Sequence, residues 1–438
     1  MVVTVEIISK EMVKPSSPTP LDLKTHKLSF LDQILPSVYI PIILVYHAKT
    51  GHVDIDPAQK SSRLKLSLEQ ILTRFYPLAG TAKDDYSILC NDEGAEYFEA
   101  RVSCNLSDVL RQFNAEIFSQ FLPFEPYGNG AEDGNRKVIL AVKYNIFDCG
   151  GVAIGICVSH LVADGTSVTT FLNAWSAMCK GDDVSISPNF DAATYFPKRD
   201  MSWCNRDKVI TKDKIVMRRL VFNKSSIAAL RENASSAADS QVKRIPTRVE
   251  ALTAFIWSRL MAISQSKPAR ASMCAAVHAV NLRERMDPPM PKHCFGNLWY
   301  FAAAVLSRDE VDHDSSDRIL VSKLNNAIKG INGDYVKKIK SDVHGDLLKR
   351  AYALFGRDNI ETYNFTSWCR FPFYEADFGW GKPTWVCCPS MPFKNLVVMM
   401  STKDEHGIEA FVNILEEDAA VFDSDPELLP FVSLTIAD

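Results

Sequence analysis

The stretch from residue 150 to residue 165 reads GGVAIGICVSHLVADG. Over 152–159, branched side chains alternate with small ones, which predicts a buried strand with one bulky face and one face that a neighbour approaches closely. Apolar residues at helical spacing come next and predict a helix: Val168, Phe171, Leu172 and Trp175. His160 and Asp164 therefore lie on a turn between a core strand and a helix, where a rigid scaffold can present a reactive group.

The chemistry available to His160 follows from its pKa. An unperturbed imidazole has a pKa of about 6.5, so at neutral pH it can accept a proton, and a general base contributes about 10²–10⁴ in rate. Two other interpretations stay open: a buried histidine held by a hydrogen bond, or a metal ligand together with Asp164. The metal interpretation is the weaker one, because zinc needs more ligands and neither a CxxC pair nor a second histidine lies nearby.

A second landmark is the stretch 374–383, which reads YEADFGWGKP. Two glycines bracket a tryptophan there, and Asp377 stands at the entry. Taken alone, this pattern predicts a loop with a structural role. Gly379 and Gly381 would allow a positive φ or the close approach of a neighbour, and the aromatic side chains would anchor the loop.

Taken together, the stretches 160–165 and 377–381 resemble the paired signatures of the plant BAHD acyltransferases, which are CoA-dependent. The similarity is greatest to the acetyltransferases of this family. Thr81 is a departure, because the family often has a basic residue at that position. Other stretches that resemble family sequences are LSFLD at 28–32 (the N-terminal strand motif), FYPLAG at 75–80, NDEG at 91–94, AVNLRER at 279–285, FGN at 295–297 and TSW at 366–368.

Strands and helices mix in both halves of the chain, which favours a two-domain α/β fold. The resemblance implies two similarly folded chloramphenicol-acetyltransferase-like domains with a central solvent channel at their interface. Composition shifts toward Gly, Asp, Pro, Lys and Asn before residue 214, which predicts a linker. We therefore expect an N-terminal domain over 1–185, a crossover linker over 186–213 and a C-terminal domain over 214–438. The resemblance further implies that a segment of about 372–395 completes the first domain.

The resemblance also implies roles for individual side chains. His160 would be the general base of a direct transfer that needs no acyl-enzyme. Trp368 would donate to the oxyanion with Thr366 in support, although packing is the alternative for a tryptophan at a domain boundary. Asp164 would point away from the imidazole and pair with Arg283. The other interpretation of Asp164 is that it orients His160 directly, since it lies on the same turn.

Two further sets of residues are expected to serve structure or binding. Asp377 would shape its loop through hydrogen bonds or an arginine contact, with Gly379 and Gly381 allowing the backbone path. Thr247 and Arg248 come before a predicted helix and resemble a segment that family members place near CoA, whose phosphates an arginine can bind. The alternative for this arginine is a solvated surface charge. No metal site is expected.

Composition limits the class of protein. The chain has 438 residues, 47% of them hydrophobic, and a net charge of −4, so we expect two or three domain-sized cores and no nucleic-acid partner. We expect no membrane segment and no signal peptide, because no apolar run approaches the ~20 residues that span a bilayer. The 11 cysteines are scattered and odd in number, as in a cytoplasmic protein with reduced thiols. The resemblance suggests a monomer.

The predicted function is acyl-CoA-dependent O-acyltransfer. The resemblance implies acetyl-CoA as co-substrate, no tightly bound cofactor, and a hydroxyl of a plant specialised metabolite, an alkaloid or terpenoid alcohol, as the acceptor. N-acyl or aromatic-acyl transfer within the same family stays open. An acyl-CoA hydrolase and a non-catalytic relative that binds a metabolite or protein are the alternatives outside it, and the intact His160 argues against the last of these.

Overall fold

The fold is described from a computed structural model. It describes residues 3–34, 36–48, 55–84, 86–111, 113–127, 138–204, 206, 210–235, 244–265, 267, 271–307, 310, 317–342, 345–353, 359–389 and 391–433. Every residue that the sequence analysis assigned to the site lies within these ranges.

Strands and helices follow one another irregularly along the chain. The strands are β1 (Val5–Val13), β2 (Thr25–Lys27), β3 (Tyr39–Tyr46), β4 (Thr81–Asp84), β5 (Ser87–Leu89), β6 (Ala95–Val102), β7 (Leu140–Phe147), β8 (Val152–Ser159), β9 (Ile215–Phe222), β10 (Met273–Asn281), β11 (Trp299–Ser307), β12 (Ile360–Ser367), β13 (Trp385–Cys387), β14 (Leu396–Ser401) and β15 (Ile408–Leu415). The helices are α1 (Pro57–Arg74), α2 (Leu106–Leu110), α3 (Ala115–Ser119), α4 (Gly165–Lys180), α5 (Ala192–Tyr195), α6 (Lys224–Asn233), α7 (Arg248–Gln265), α8 (Asp317–Gly330), α9 (Gly333–Ser341), α10 (Asp346–Tyr352) and α11 (Ala419–Asp423). Within the described ranges, no helix has the length and apolar character needed to cross a membrane.

The first sheet has the strand order β1-β6-β7-β8-β3-β13. β6 and β7 run parallel, and the other neighbouring strands run antiparallel. Every residue of β8 is buried, and a Cβ added at Gly155 would collide with the backbone oxygen of Phe121. The 152–159 pattern therefore predicted correctly both a buried strand and a face that a neighbour approaches closely.

The second sheet has the strand order β11-β10-β12-β14-β15-β9, in which β10, β12 and β14 run parallel. β13 lies between β12 and β14 in sequence, yet it pairs with β3 of the first sheet through Trp385↔Val45 and Cys387↔Ile43. The chain thus leaves the second sheet, adds one short strand to the first sheet and returns. A small third sheet has the order β2-β5-β4.

Helix packing holds the turn that carries His160. The turn follows β8, and α4 begins directly after it at Gly165, with Asp164 as the N-cap residue. α4 packs on α1, and the indole N–H of Trp175 donates to the hydroxyl of Ser67 over 3.1 Å in this buried contact. Because both β8 and α4 are packed in the core, the turn between them is anchored at both ends.

The LSFLD stretch, which resembled a strand motif, does not form a strand. Residues 28–31 form a loop after β2, and Asp32 begins a short 3₁₀ helix that ends at Ile34. Phe30 and Leu31 are buried in an apolar cluster that also contains Val280 and Tyr300 from the second half of the chain. These apolar contacts fix the loop between the two halves, so the carboxyl group of Asp32 is carried into the interior.

Candidate active site

Three segments of the chain meet around the His160 side chain. The first is the turn 160–164 after β8, and the second is the loop that carries Asp32. The third is the segment Gly296–Leu298, which directly precedes β11. Hydrogen bonds join all three segments, so the site contains residues from both halves of the chain.

The half-buried His160 is held through its backbone and through its ring. Its backbone N–H donates to the carbonyl of Val38 over 2.8 Å, and its own carbonyl accepts from Nδ2 of Asn297 at 2.6 Å. Nδ1 of the imidazole lies 3.0 Å from Oδ1 of Asn297. The ring orientation is therefore set chiefly by one asparagine that is far away in sequence.

The amide orientation of Asn297 is fixed by its neighbours. Nδ2 of Asn297 lies 2.9 Å from Oδ1 of Asp32 and 2.6 Å from the carbonyl oxygen of His160. Both are acceptors, so the amide nitrogen must face them and the amide oxygen must face the imidazole. An oxygen can only accept, which requires a proton on Nδ1. In the neutral imidazole, Nε2 then carries the lone pair and is the nitrogen able to take up a proton.

Asp32 anchors this asparagine from the other side. Its Oδ1 accepts from the backbone N–H of Asn297 at 2.8 Å as well as from Nδ2. Its Oδ2 accepts from the N–H and the hydroxyl of Ser29 at 2.7 and 2.6 Å. Each oxygen thus has two donors, and the carboxyl group is only 2% exposed.

Asp164 forms a buried ion pair with Arg283. The two guanidinium nitrogens of Arg283 lie 2.7 and 3.0 Å from the two carboxylate oxygens. Asp164 also accepts from the N–H of Ser167 at 2.8 Å, which caps α4. Its Oδ2 accepts from the N–H of Leu298 at 3.1 Å. The pair therefore joins the turn 160–164 to the segment that carries Asn297.

Burial and charge shift the pKa values of these groups in different directions. Burial lowers the pKa of His160, while hydrogen bonds and the charge of Asp164 oppose that shift in part. Burial by itself would raise the pKa of Asp164, but the Arg283 charge and several hydrogen bonds outweigh it and hold the pKa below its usual range. The pKa of Asp32 is raised, because burial outweighs the hydrogen bonds from Ser29 and Asn297.

Trp368 is linked through the ring of Phe371 to Gly165, the residue that follows the turn 160–164. Its ring stacks on Phe371 with centroids 6.4 Å apart, and a Cβ added at Gly165 would come within 2.5 Å of the Phe371 ring. Among the described residues, none accepts a hydrogen bond from the indole N–H. Trp368 as a whole is buried. Thr366 lies half-buried in β12, two residues earlier.

The loop around Asp377 is shaped by its own hydrogen bonds. One carboxylate oxygen of Asp377 accepts from the backbone N–H groups of Gly379 and Gly381, each at 2.9 Å. Both glycines have positive φ values, 102° and 112°. The cation beside the carboxylate is Lys180 at 3.5 Å, and not an arginine. Arg63 instead lies over Gly379, where a Cβ would come within 2.7 Å of its guanidinium.

Thr247 and Arg248 lie at the start of α7, away from the hydrogen-bonded centre around His160. The N–H of Thr247 donates to the Glu250 carboxylate at 2.9 Å, and the N–H of Glu250 donates back to the Thr247 hydroxyl at 3.2 Å. This reciprocal pair caps the helix. Arg248 donates to the backbone carbonyls of Glu405 and His406 in the β14–β15 turn at 2.7 and 3.3 Å.

Sequence reasoning gave no role to Asp32 or Asn297, although both lie in stretches that resemble the family. The signal for Asp32 is an acidic residue inside the apolar run 28–35, with Ser29 three positions earlier and able to bind it. The signal for Asn297 is an amide after Gly296, whose φ of 139° allows the turn. Their pairing across 265 positions of sequence could not be predicted from local pattern.

Comparison with known proteins identifies the family. A model of the Transferase family matches residues 3–429. The chain belongs to this family. Stemmadenine O-acetyltransferase of Catharanthus roseus is 41% identical over 435 residues, covering 99% of this chain and 98% of that protein. Vinorine synthase of Rauvolfia serpentina is 39% identical with the same coverage, and the limonoid 21-O-acetyltransferase of Melia azedarach is 36% identical over 98% of each chain. The resemblance to the BAHD acyltransferases is confirmed.

Solved structures confirm the fold class. The crystal structure of vinorine synthase matches with a TM-score of 0.86 at 37% identity, covering 99% of this chain and all of that one. F. sporotrichioides TRI101, solved with coenzyme A and T-2, matches with a TM-score of 0.71 at 20% identity over 93% of this chain and 99% of that one. The predicted mixed α/β fold with two domains is therefore confirmed.

Proposed function

We propose that this chain transfers an acetyl group from acetyl-CoA to a hydroxyl of a plant specialised metabolite, an alkaloid or terpenoid alcohol. The observation that carries the proposal is the hydrogen bond between His160 and Asn297, which leaves Nε2 as the basic nitrogen. The relatives support the acceptor class, since two of those named above are O-acetyltransferases, one of stemmadenine and one of a limonoid. The co-substrate follows from the family resemblance.

The proposed reaction is a direct transfer in which His160 moves one proton. Nε2 takes the proton of the acceptor hydroxyl as its oxygen attacks the thioester carbonyl, and a C–O bond forms. The tetrahedral intermediate collapses as the C–S bond breaks. The imidazolium then returns the proton to the departing CoA sulfur. No covalent acyl-enzyme forms, so no nucleophilic serine or cysteine takes part.

The tetrahedral oxyanion needs a donor, and Trp368 is the proposed one. Its support is the indole N–H, which has no acceptor among the described residues, and the stacking on Phe371, which in turn lies against Gly165. Thr366 is proposed to support the same wall from β12. Removing a single donor to an oxyanion costs about 10²–10³ in kcat. Trp368→Phe should therefore lower kcat by about 100-fold while the melting temperature changes little. An unchanged kcat would assign Trp368 to packing.

Arg248 is the proposed contact for a phosphate of CoA. Among the described residues, the carbonyls of Glu405 and His406 engage only one of its terminal nitrogens, so its other donors are proposed to face a ligand. Thr247 supports this position by capping α7. Arg248→Ala should raise the KM for acetyl-CoA with little effect on kcat, whereas an unchanged KM would make Arg248 a structural tie to the β14–β15 turn.

We also propose a cytoplasmic location and a monomeric state. The 11 cysteines of the chain are all free thiols, which is the usual condition in a reducing compartment. Light scattering coupled to size-exclusion chromatography should give the mass of one chain, and a mass of two chains would overturn the monomer.

The function is tested by thiol release from a panel of acyl-CoA esters against pooled plant alcohols and amines, with product masses recorded. An acceptor-dependent gain of one acetyl group on an alcohol is the expected result. Transfer to an amine, or transfer of an aromatic acyl group, would change the substrate class but keep the enzyme class. Free acid without acceptor would indicate a hydrolase, and no turnover by folded protein would indicate a binding protein.

A further inference from the structure

We infer that Asp32 is a positioning residue for His160 and acts through the amide of Asn297. Its buried carboxylate holds the imidazole in the tautomer with a proton on Nδ1 and stabilises the imidazolium that forms when Nε2 takes up a proton. The inference rests on the proposed role of His160 as general base. It adds a residue that is not adjacent to the histidine and that local sequence pattern does not reveal.

The hydrogen bonds form a continuous chain from Asp32 to the imidazole. Oδ1 of Asp32 accepts from Nδ2 of Asn297 at 2.9 Å, and Oδ1 of the same amide faces Nδ1 of His160 at 3.0 Å. If the amide were turned over, its oxygen would face the acceptors of Asp32 and His160 at 2.9 and 2.6 Å. Two such acceptor–acceptor contacts in a buried site are costly, so Asp32 specifies the orientation of the amide.

Among the described residues, no lysine or arginine forms an ion pair with the carboxylate of Asp32. Its hydrogen-bond partners are the neutral groups of Ser29 and Asn297. Asp164, in contrast, is paired with Arg283. The hydrogen-bonded path from Asp32 to the imidazole therefore runs through the amide of Asn297.

This arrangement changes the energy of the imidazolium more than that of the neutral ring. When Nε2 is protonated, the proton on Nδ1 becomes a stronger donor to the amide oxygen, and the amide is already polarised by the carboxylate on its nitrogen side. No proton passes to Asp32, because the intervening amide has no proton to give up at neutral pH. The carboxylate thus orients and stabilises, as the aspartate does in a Ser-His-Asp triad, with one amide in between.

Burial and hydrogen bonding act on the charged form of Asp32 in opposite directions. Burial raises the pKa of Asp32, and the hydrogen bonds from Ser29 and Asn297 oppose the rise. The charged and titratable groups around the chain of hydrogen bonds are Asp164, Arg283 and Cys294. Arg199 and Arg206 contact the loop that carries Asp32, at Phe30 and Gln33. Of these groups, Asp164 also raises the pKa of His160, so the effect of Asp32 has to be measured with the Asp164–Arg283 pair intact.

A kinetic double-mutant cycle tests the connection through the amide. Asp32→Asn is expected to lower kcat by about 10–100-fold, as loss of an orienting partner does at other sites, and to leave the KM for acetyl-CoA within about twofold. Asn297→Ala is expected to have a similar effect. The double variant should be no worse than the more impaired single variant. Effects that multiply in the double variant would overturn the proposed path through Asn297.

The pH profile separates positioning from a merely structural role. Loss of a negative charge makes the imidazolium less stable, so the acid limb of the kcat/KM profile in Asp32→Asn should move to lower pH. A structural role would lower the fraction of active protein without moving this limb. Asp423→Asn is the matched control, because Asp423 pairs with Arg218 on an exposed surface, and its profile should equal that of the unchanged protein.

Histidine-selective ¹⁵N NMR tests the inference without any substrate, so it remains informative even where the proposed function fails. The chain has nine histidines, and His160→Gln assigns the signal of interest. The neutral His160 of the unchanged protein should carry its proton on Nδ1, and its pKa should fall in Asp32→Asn. If Asp32→Asn does not fold, the tautomer of the neutral His160 ring in the unchanged protein tests the inference. A proton on Nε2 of the neutral ring would overturn the inference.

Discussion

Two buried carboxylates accept hydrogen bonds from the Gly296–Leu298 segment but otherwise have different partners. Asp164 is 6% exposed and pairs with Arg283 through both oxygens. Asp32 is 2% exposed and receives hydrogen bonds only from neutral groups among the described residues. The two residues are buried to nearly the same extent, yet the pKa of Asp164 is lowered and the pKa of Asp32 is raised. The charge of the partner, and not the degree of burial, therefore determines the direction in which the pKa of each carboxylate shifts.

This difference assigns the two residues to different tasks. The Asp164–Arg283 ion pair connects the turn 160–164 to the second half of the chain. Removing this pair should affect folding first. Asp32 is held by neutral donors, so its charge is not paired with a cation among the described residues. Replacing Asp32 should therefore affect catalysis first. The following predictions test whether the two tasks can be separated.

The largest effect is expected from removing the proposed general base. His160→Ala should lower kcat by about 10²–10⁴-fold. The melting temperature should change little, since the residue is only half-buried. Steady-state kinetics and a thermal melt check both parts. A folded variant that retains full kcat would remove His160 from the mechanism, and the comparison of the carboxylates would then concern structure alone.

Asp164→Asn should have the second-largest effect, and the effect should be on stability. Removing one partner of a buried ion pair leaves the Arg283 charge uncompensated and costs about 3–5 kcal/mol in the free energy of unfolding. Urea unfolding measures this change. The exposed control Asp423→Asn should cost less than about 1 kcal/mol. Loss of activity in an Asp164→Asn variant of full stability would mean that Asp164 acts directly on the imidazole.

Asp32→Asn should reverse the pattern seen for Asp164→Asn. The free energy of unfolding should fall by less than in Asp164→Asn, because no cation is left unpaired and one face of the side chain can still accept from Asn297. The value of kcat should nevertheless fall by about 10–100-fold. Urea unfolding and steady-state kinetics on the same preparations give both quantities. If the two variants lose stability and kcat in the same proportion, the proposed division of tasks is wrong.

The smallest effect is the dependence of stability on pH, and it should have opposite signs at the two sites. The folded pKa of Asp164 is below the unfolded value of about 3.9, so its contribution is present above pH ~4 and is lost as the pH falls through the folded pKa. The folded pKa of Asp32 is raised, so its contribution is present below pH ~4 and is lost as the pH rises through the folded pKa.

Urea unfolding of both asparagine variants between pH 3 and 7 checks these signs. The stability of the unchanged protein relative to Asp164→Asn should increase with pH at the acid end of this range. Its stability relative to Asp32→Asn should decrease as the pH rises above about 4. Two differences that change in the same direction would contradict the opposite pKa shifts.

The elements that could be predicted from sequence are those with a strong local pattern. Alternation of branched and small residues over 152–159 predicted β8, and apolar spacing from Val168 to Trp175 predicted α4, because both periods reflect which face is buried. The family resemblance placed Asp164 beside Arg283, and the structure has that contact. In both cases the information lies in a short stretch or in a shared motif.

The remaining features depend on contacts that no local pattern encodes. β13 has only three residues, and its membership in the first sheet depends on where β3 lies. LSFLD resembles a strand motif of the family, yet its residues do not form a strand, and Phe30 and Leu31 are buried in an apolar cluster with residues of the second half. The link from Asp32 to Asn297 crosses both halves of the chain, so it becomes visible only in the assembled site.

The most direct test of the central claim, direct transfer with His160 as base, is a rapid-quench experiment with acetyl-CoA labelled in the acetyl group. The enzyme is mixed with label in the presence and absence of an accepted alcohol, then denatured and separated from small molecules. The account predicts that label moves to the alcohol and that the denatured protein carries none, with transfer lost in His160→Ala. Label bound covalently to the protein, at a level that rises and decays with turnover, would contradict direct transfer.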